Sequence, residues 1–113
     1  MSMLTSPSIS FQDILQDVTR RIVETAHPKR IVLFGSAARG AMTRDSDLDM
    51  LVIMSGPVHR RQTAQKILRQ LHGVALPVDI VVVTEEDVKN SEQAGYSIIR
   101  PAMKEGRIVY DAE

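Results

Sequence analysis

Apolar residues recur at helical spacing early in the chain and gather into short unbroken runs further on. Phe11, Ile14, Leu15, Val18 and Ile22 fall on one face of a helix that Ser10 opens, with Asp13 placed as in a capping box. That helix is expected to run to about Ala26, where His27 and Pro28 stop it. Arg30 to Phe34 is short, β-branched and apolar, as a buried strand should be, and Gly35 ends it. Ser36 to Arg39 can make one helical turn closed by Gly40, and a polar stretch then leads into a second strand, Leu48 to Met54. After the break at Ser55, Gly56 and Pro57, the residues Val58, Ala64, Ile67, Leu68 and Leu71 predict a helix ending at Gly73. Val78 to Val83 is the third strand, and Thr84 followed by Glu85, Glu86 and Asp87 supplies a cap and an acidic first turn for another helix. Beyond Asn90, Gly95 and Pro101 interrupt the pattern, so a kinked or restarted helix is expected. Arg107 to Tyr110 fits either a short edge strand or a tail that docks on a partner.

Helices alternating with short apolar strands indicate an α/β domain whose sheet is covered by helices. The second strand sharpens this picture. Leu48, Met50 and Val52 point to one face while Asp47, Asp49, Leu51 and Ile53 point to the other, so both faces are apolar beyond the two aspartates. At 113 residues and 43% hydrophobic, the chain matches one ordinary domain spanning residues 1–113, with residues 1–9 expected to be flexible. Fourteen basic and fourteen acidic residues cancel, which disfavours direct nucleic-acid binding through a global positive field. No apolar run approaches the ~18 residues of a membrane span, no secretory signal opens the chain, and no cysteine is present, so a cytoplasmic location is expected.

Three carboxylates need a reason to exist where they do. Asp47 and Asp49, two residues apart in a strand, project to the same side roughly 6 to 7 Å apart at the backbone. Like charges beside an apolar run repel and resist desolvation, a cost that divalent cations remove. Asp79, between Val78 and Ile80 at the start of the third strand, is equally expensive without a ligand or cation. If the second and third strands are neighbours, all three converge as a two-Mg²⁺ phosphoryl-transfer site needs. The bland alternative for each is a strand-end carboxylate that caps a loop or pairs with Arg44 or Lys29. Gly35, Ser36 and Gly40 bracket a turn whose free N–H groups could cradle a phosphate, with Arg39 adding a charge-assisted contact; an ordinary glycine turn is the alternative.

Gly35-Ser36-Ala37-Ala38-Arg39-Gly40 followed by Ser46-Asp47-Leu48-Asp49 resembles the signature of the polymerase-beta-type nucleotidyltransferase superfamily: Gly-Ser, ten residues, then Asp-x-Asp. It is especially similar to the minimal nucleotidyltransferase family of bacteria and archaea, with the likeness running from about Pro28 to Val83. The resemblance implies a nucleotidyltransferase fold with a small mixed sheet in the order α-β-α-β-α-β-α. It implies that Gly35 and Ser36 hold the triphosphate, that Asp47 and Asp49 bind both Mg²⁺ ions, and that Asp79 binds the one nearer the attacking hydroxyl.

The resemblance further implies a function. Such domains pair with HEPN-type RNase toxins and neutralise them as antitoxins, in some systems by adenylylating a tyrosine, so transfer of AMP from ATP to a cognate toxin is the leading expectation. The alternatives are a binding antitoxin without chemistry and transfer to a small molecule such as an aminoglycoside. The apolar end Ile108, Val109 and Tyr110 leaves a homodimer or a heteromeric contact open. His27, His59 and His72 lack ligand spacing and are assigned no role, and Arg60, Arg61, Lys66 and Arg69 read as the wet face of their helix.

Overall fold

The structure, a computed structural model, describes residues 10–35, 38, 47–94 and 99–112. The first helix, α1 (Phe11–Ala26), begins where Ser10 Oγ accepts the Asp13 N–H at 3.1 Å and ends at His27 in the left-handed region. β1 (Arg30–Phe34) and β2 (Leu48–Met54) pair antiparallel, with Phe34 opposite Asp49 and Arg30 opposite Ile53. α2 (Arg60–Arg69) then crosses to β3 (Val78–Thr84), which lies parallel to β2. α3 (Glu85–Ala94), α4 (Ile99–Glu105) and β4 (Arg107–Asp111) complete the order α1-β1-β2-α2-β3-α3-α4-β4. The sheet runs β3-β2-β1-β4 and is mixed, as expected.

The chain continues past α3 into α4 and the edge strand β4, which lengthens the expected α-β-α-β-α-β-α at its end and matches the restarted helix and the edge-strand alternative for Arg107 to Tyr110. The helical turn expected at Ser36 to Arg39 lies almost wholly outside the described residues. The expectation that residues 1–9 are flexible also falls outside them. Pro101 sits in the first turn of α4, where its missing N–H has no intrahelical partner to lose, which is why the helix restarts there.

The two faces of β2 are both covered. Leu48, Met50, Val52 and Met54 pack with Leu15, Val18 and Ile22 of α1 and with Ile67 and Leu71 at the α2 end. Leu51 and Ile53 pack on the opposite side with Val83 of β3 and with Ile99 and Ala102 of α4. Fully burying each such aliphatic side chain contributes about 1.5 to 3 kcal/mol, so both faces of β2 add to the core. Leu68 is not part of this core: it is 44% exposed, because α2 turns its Ile67 inward instead. Arg21 ties α1 to the end of α2 by donating to the backbone carbonyls of Gln70 (3.1 Å) and His72 (2.7 Å). Among the described residues no helix is long and apolar enough to cross a membrane.

Candidate functional site

Asp49 is the second residue of β2 and the only position of that strand that is not buried. Its two strand neighbours at the same level are Phe34 of β1 and Asp79 of β3. Adjacent strands lie about 4.8 Å apart, so the parallel register alone sets the Asp49 and Asp79 carboxylates side by side. Asp47 stands just before β2 and is exposed, as is Asp79. The start of β2 is fastened to the start of β3 by the Leu48 N–H, which donates to the Pro77 carbonyl at 2.9 Å. The neighbouring of the second and third strands, which the sequence left conditional, therefore holds.

Electrostatics at this end are unbalanced. Burial pushes the Asp49 carboxyl above the ordinary carboxylate range, and the charges of Asp79 and then Asp47 push it further in the same direction. Among the described residues, however, no three His, Cys, Asp or Glu side chains already form a closed metal-ligand set. The two observations are compatible, since like charges are felt over distances longer than coordination bonds. Asp47 and Asp79 are exposed, whereas Asp49 is half-buried.

Gly35 follows β1 with φ of 75°, a conformation that L side chains rarely adopt. A Cβ there would overlap Asp49 Oδ2. The glycine is needed both for the turn and for the space beside the carboxylate. The sequence suggested close approach of a phosphate at this glycine but not the crowding by Asp49, because the antiparallel pairing of β1 with β2 closes over a long connection that periodicity cannot read. Ser36, Arg39, Gly40 and Arg44 lie outside the described residues. Lys29, the other candidate partner for an aspartate, has its N–H on the Ile53 carbonyl at the far end of β2. That end is about 13 Å of strand away from Asp49.

The opposite end of β2 and β3 carries a second cluster that the sequence indicated only in part. Thr84 caps α3: its Oγ1 accepts the Asp87 N–H at 3.0 Å, and Asp87 Oδ2 accepts the Thr84 N–H at 3.0 Å. Arg60 at the start of α2 donates two bonds to the same carboxylate, at 2.8 and 2.7 Å. Arg60 is thus more than a solvated residue, a pairing across 27 positions that no local pattern signals.

With the geometry in place, comparison with known proteins is informative. The model of the nucleotidyltransferase domain matches residues 15–109. A protein of Methanocaldococcus jannaschii named "putative protein adenylyltransferase" is 32% identical over 82 residues, covering 73% of this chain and 78% of its own. Among solved structures, a toxin-antitoxin with AMP-PNP superposes with a TM-score of 0.58 at 22% identity, covering 87% of this chain and 74% of the other. A structure described as "a putative nucleotidyltransferase from Sulfolobus solfataricus" superposes with a TM-score of 0.60 at 18% identity, covering 97% and 94% of the two chains. At these identities the structural likeness is one of fold.

Proposed function

The chain belongs to the nucleotidyltransferase domain family, and from that premise we propose that it is a Mg²⁺-dependent protein adenylyltransferase whose catalytic and metal-binding residues are Asp47, Asp49 and Asp79. The observation that carries this reading is the Asp49 and Asp79 register pair, with a desolvated and mutually repelled carboxylate beside a glycine that leaves no room for a side chain. A carboxylate in that setting is unfavourable as structure and favourable as a cation ligand. The donor set, three carboxylates and no soft ligand, fits Mg²⁺. When bound, Mg²⁺ supplies charge neutralisation on the triphosphate and activates the attacking oxygen.

The protein's own part is positioning. Asp47 and Asp49 would hold cations at the triphosphate end, and Asp79, on the outer strand β3, would hold the one nearer the acceptor hydroxyl. A bond forms between the acceptor oxygen and the α-phosphorus, the bond to pyrophosphate breaks, and the hydroxyl proton passes to solvent. Gly35, Ser36 and Arg39 are the proposed triphosphate-binding residues, with backbone N–H groups of the turn facing the anion. ATP is the proposed donor.

The proposed acceptor is a tyrosine of a HEPN-type RNase toxin, with this chain as the antitoxin. Support comes from the name of the Methanocaldococcus jannaschii relative and from the toxin-antitoxin assemblies among the structural neighbours. The test is incubation with α-labelled ATP, Mg²⁺ and a purified HEPN-type toxin protein. Label should appear on that protein with the wild-type chain and not with Asp49→Asn. Neutralisation of the toxin without label transfer would replace this reading with that of a binding antitoxin.

A further inference from the structure

We propose that the outer edge of β4 is a self-association surface through which two copies of this chain pair antiparallel and join their sheets. β4 closes the order β3-β2-β1-β4, so one of its edges bonds β1 while, among the described residues, no strand covers the other. An uncovered edge presents N–H and C=O groups ready for a further strand. A charge in mid-strand is one device that keeps an edge single, and β4 lacks it, carrying its charges only at its ends, Arg107 and Asp111. Between them stands Ile108, 53% exposed and the more exposed of the large apolar side chains that stand out among the described residues.

Charge complementarity selects the occupant. In an antiparallel two-fold pair the basic end of each strand lies beside the acidic end of the other, with Ile108, Val109 and Tyr110 between them. A parallel pair would set like charges side by side. Asp111 already forms an ion pair with Arg30 at 3.2 Å, and a second cation at Arg107 of the other copy would complete a shared site. The strand is only five residues long and its register with β1 shifts between Ile31 and Val32, so a ladder of backbone bonds alone would be short. The adjoining groove supplies further area: about 550 Å³ between β4 and α1, with Leu15, Val23 and Tyr110 in its lining and Arg20 and Glu24 adding both signs of charge. A strand with opposite charges at its two ends suits an antiparallel copy of itself.

The experiment is sedimentation equilibrium of the full chain over a wide concentration range, with circular dichroism melts to verify folding. The wild type is expected to reach twice the chain mass, and Ile108→Lys to weaken the dimer at least tenfold without lowering the melt. Arg107→Asp and Asp111→Arg are each expected to weaken self-association, while an equimolar mixture of the two restores a dimer, because both contacts across the two-fold are then between opposite charges. A wild type that stays monomeric throughout, an Ile108→Lys variant that dimerises as well as the wild type, or a mixture no better than its components each overturns the proposal. If Asp111→Arg fails to fold through loss of its pair with Arg30, Ile108→Lys alone decides.

Discussion

The two ends of the β2 and β3 pair use the same residue type in opposite ways. At the C-terminal end, Asp87 accepts from the Thr84 N–H and twice from Arg60, and the Thr84 hydroxyl returns a contact to the Asp87 N–H. Burial works against that carboxylate, but the Thr84 N–H and Arg60 outweigh it and hold Asp87 below the ordinary range. At the N-terminal end, burial, Asp79 and Asp47 all act on Asp49 in the same, unfavourable direction. One aspartate is satisfied by the folded chain itself; the other is not, and on the proposed reading its partner is a bound cation. The comparison teaches that satisfaction, rather than mere presence or burial, separates a structural carboxylate from a functional one.

Asp49→Asn should break the functional end with the largest effect. Nucleotide transfer is expected to fall at least about a hundredfold, while the melting temperature stays level or rises because a repelled charge is removed. Transfer assays beside a melt of the same variant check both halves. A thermal-shift titration with Mg²⁺ adds a readout free of the acceptor: the wild type should be stabilised and the variant much less so.

Gly35→Ala should damage both properties at once. The left-handed backbone costs an L residue about 1 to 2 kcal/mol, and the new methyl displaces the Asp49 carboxylate, so the melt drops and transfer is lost together. Restoration of transfer by Mg²⁺ alone would contradict the crowding argument.

At the structural end the signs reverse. Asp87→Ala removes a cap partner and an ion pair and should destabilise the fold by about 2 kcal/mol, with transfer unchanged below the melt. The pH dependence follows from the lowered carboxyl. A group whose folded pKa lies below its unfolded one adds stability above the unfolded value, about 3.9 for an aspartate, and loses it as the pH falls through the folded one. The stability gap between wild type and Asp87→Asn should therefore be full at pH 7 and close below about pH 4, as denaturant melts at several pH values would record.

How much of this was legible in the sequence depended on range. The caps at Ser10 and Thr84 were, because a cap is settled within three residues. The alternation in Leu48 to Met54 gave both faces of the central strand, since a period of two is a property of the strand alone. The Asp-x-Asp spacing and Asp79 suggested one site, and the parallel register sets Asp49 beside Asp79, a neighbouring that spacing could not supply. What escaped was non-local: the antiparallel seat of Phe34 on Asp49, the pairing of Arg60 with Asp87, and the choice of Ile67 over Leu68 for the core. Each depends on which element lies across the gap, and periodicity carries no such address.

The single gap in the burial of β2 has a bearing on how the strand finds its place. Its two faces are both greasy, so slippage by a notch would exchange one set of aliphatic contacts for another at modest loss. Asp49 forbids it, since a slide of one or two positions would carry an ionised group to where Met50 or Leu51 now sits, at 0% exposure. The acidic residue thereby works as an index pin for the very strand that presents it.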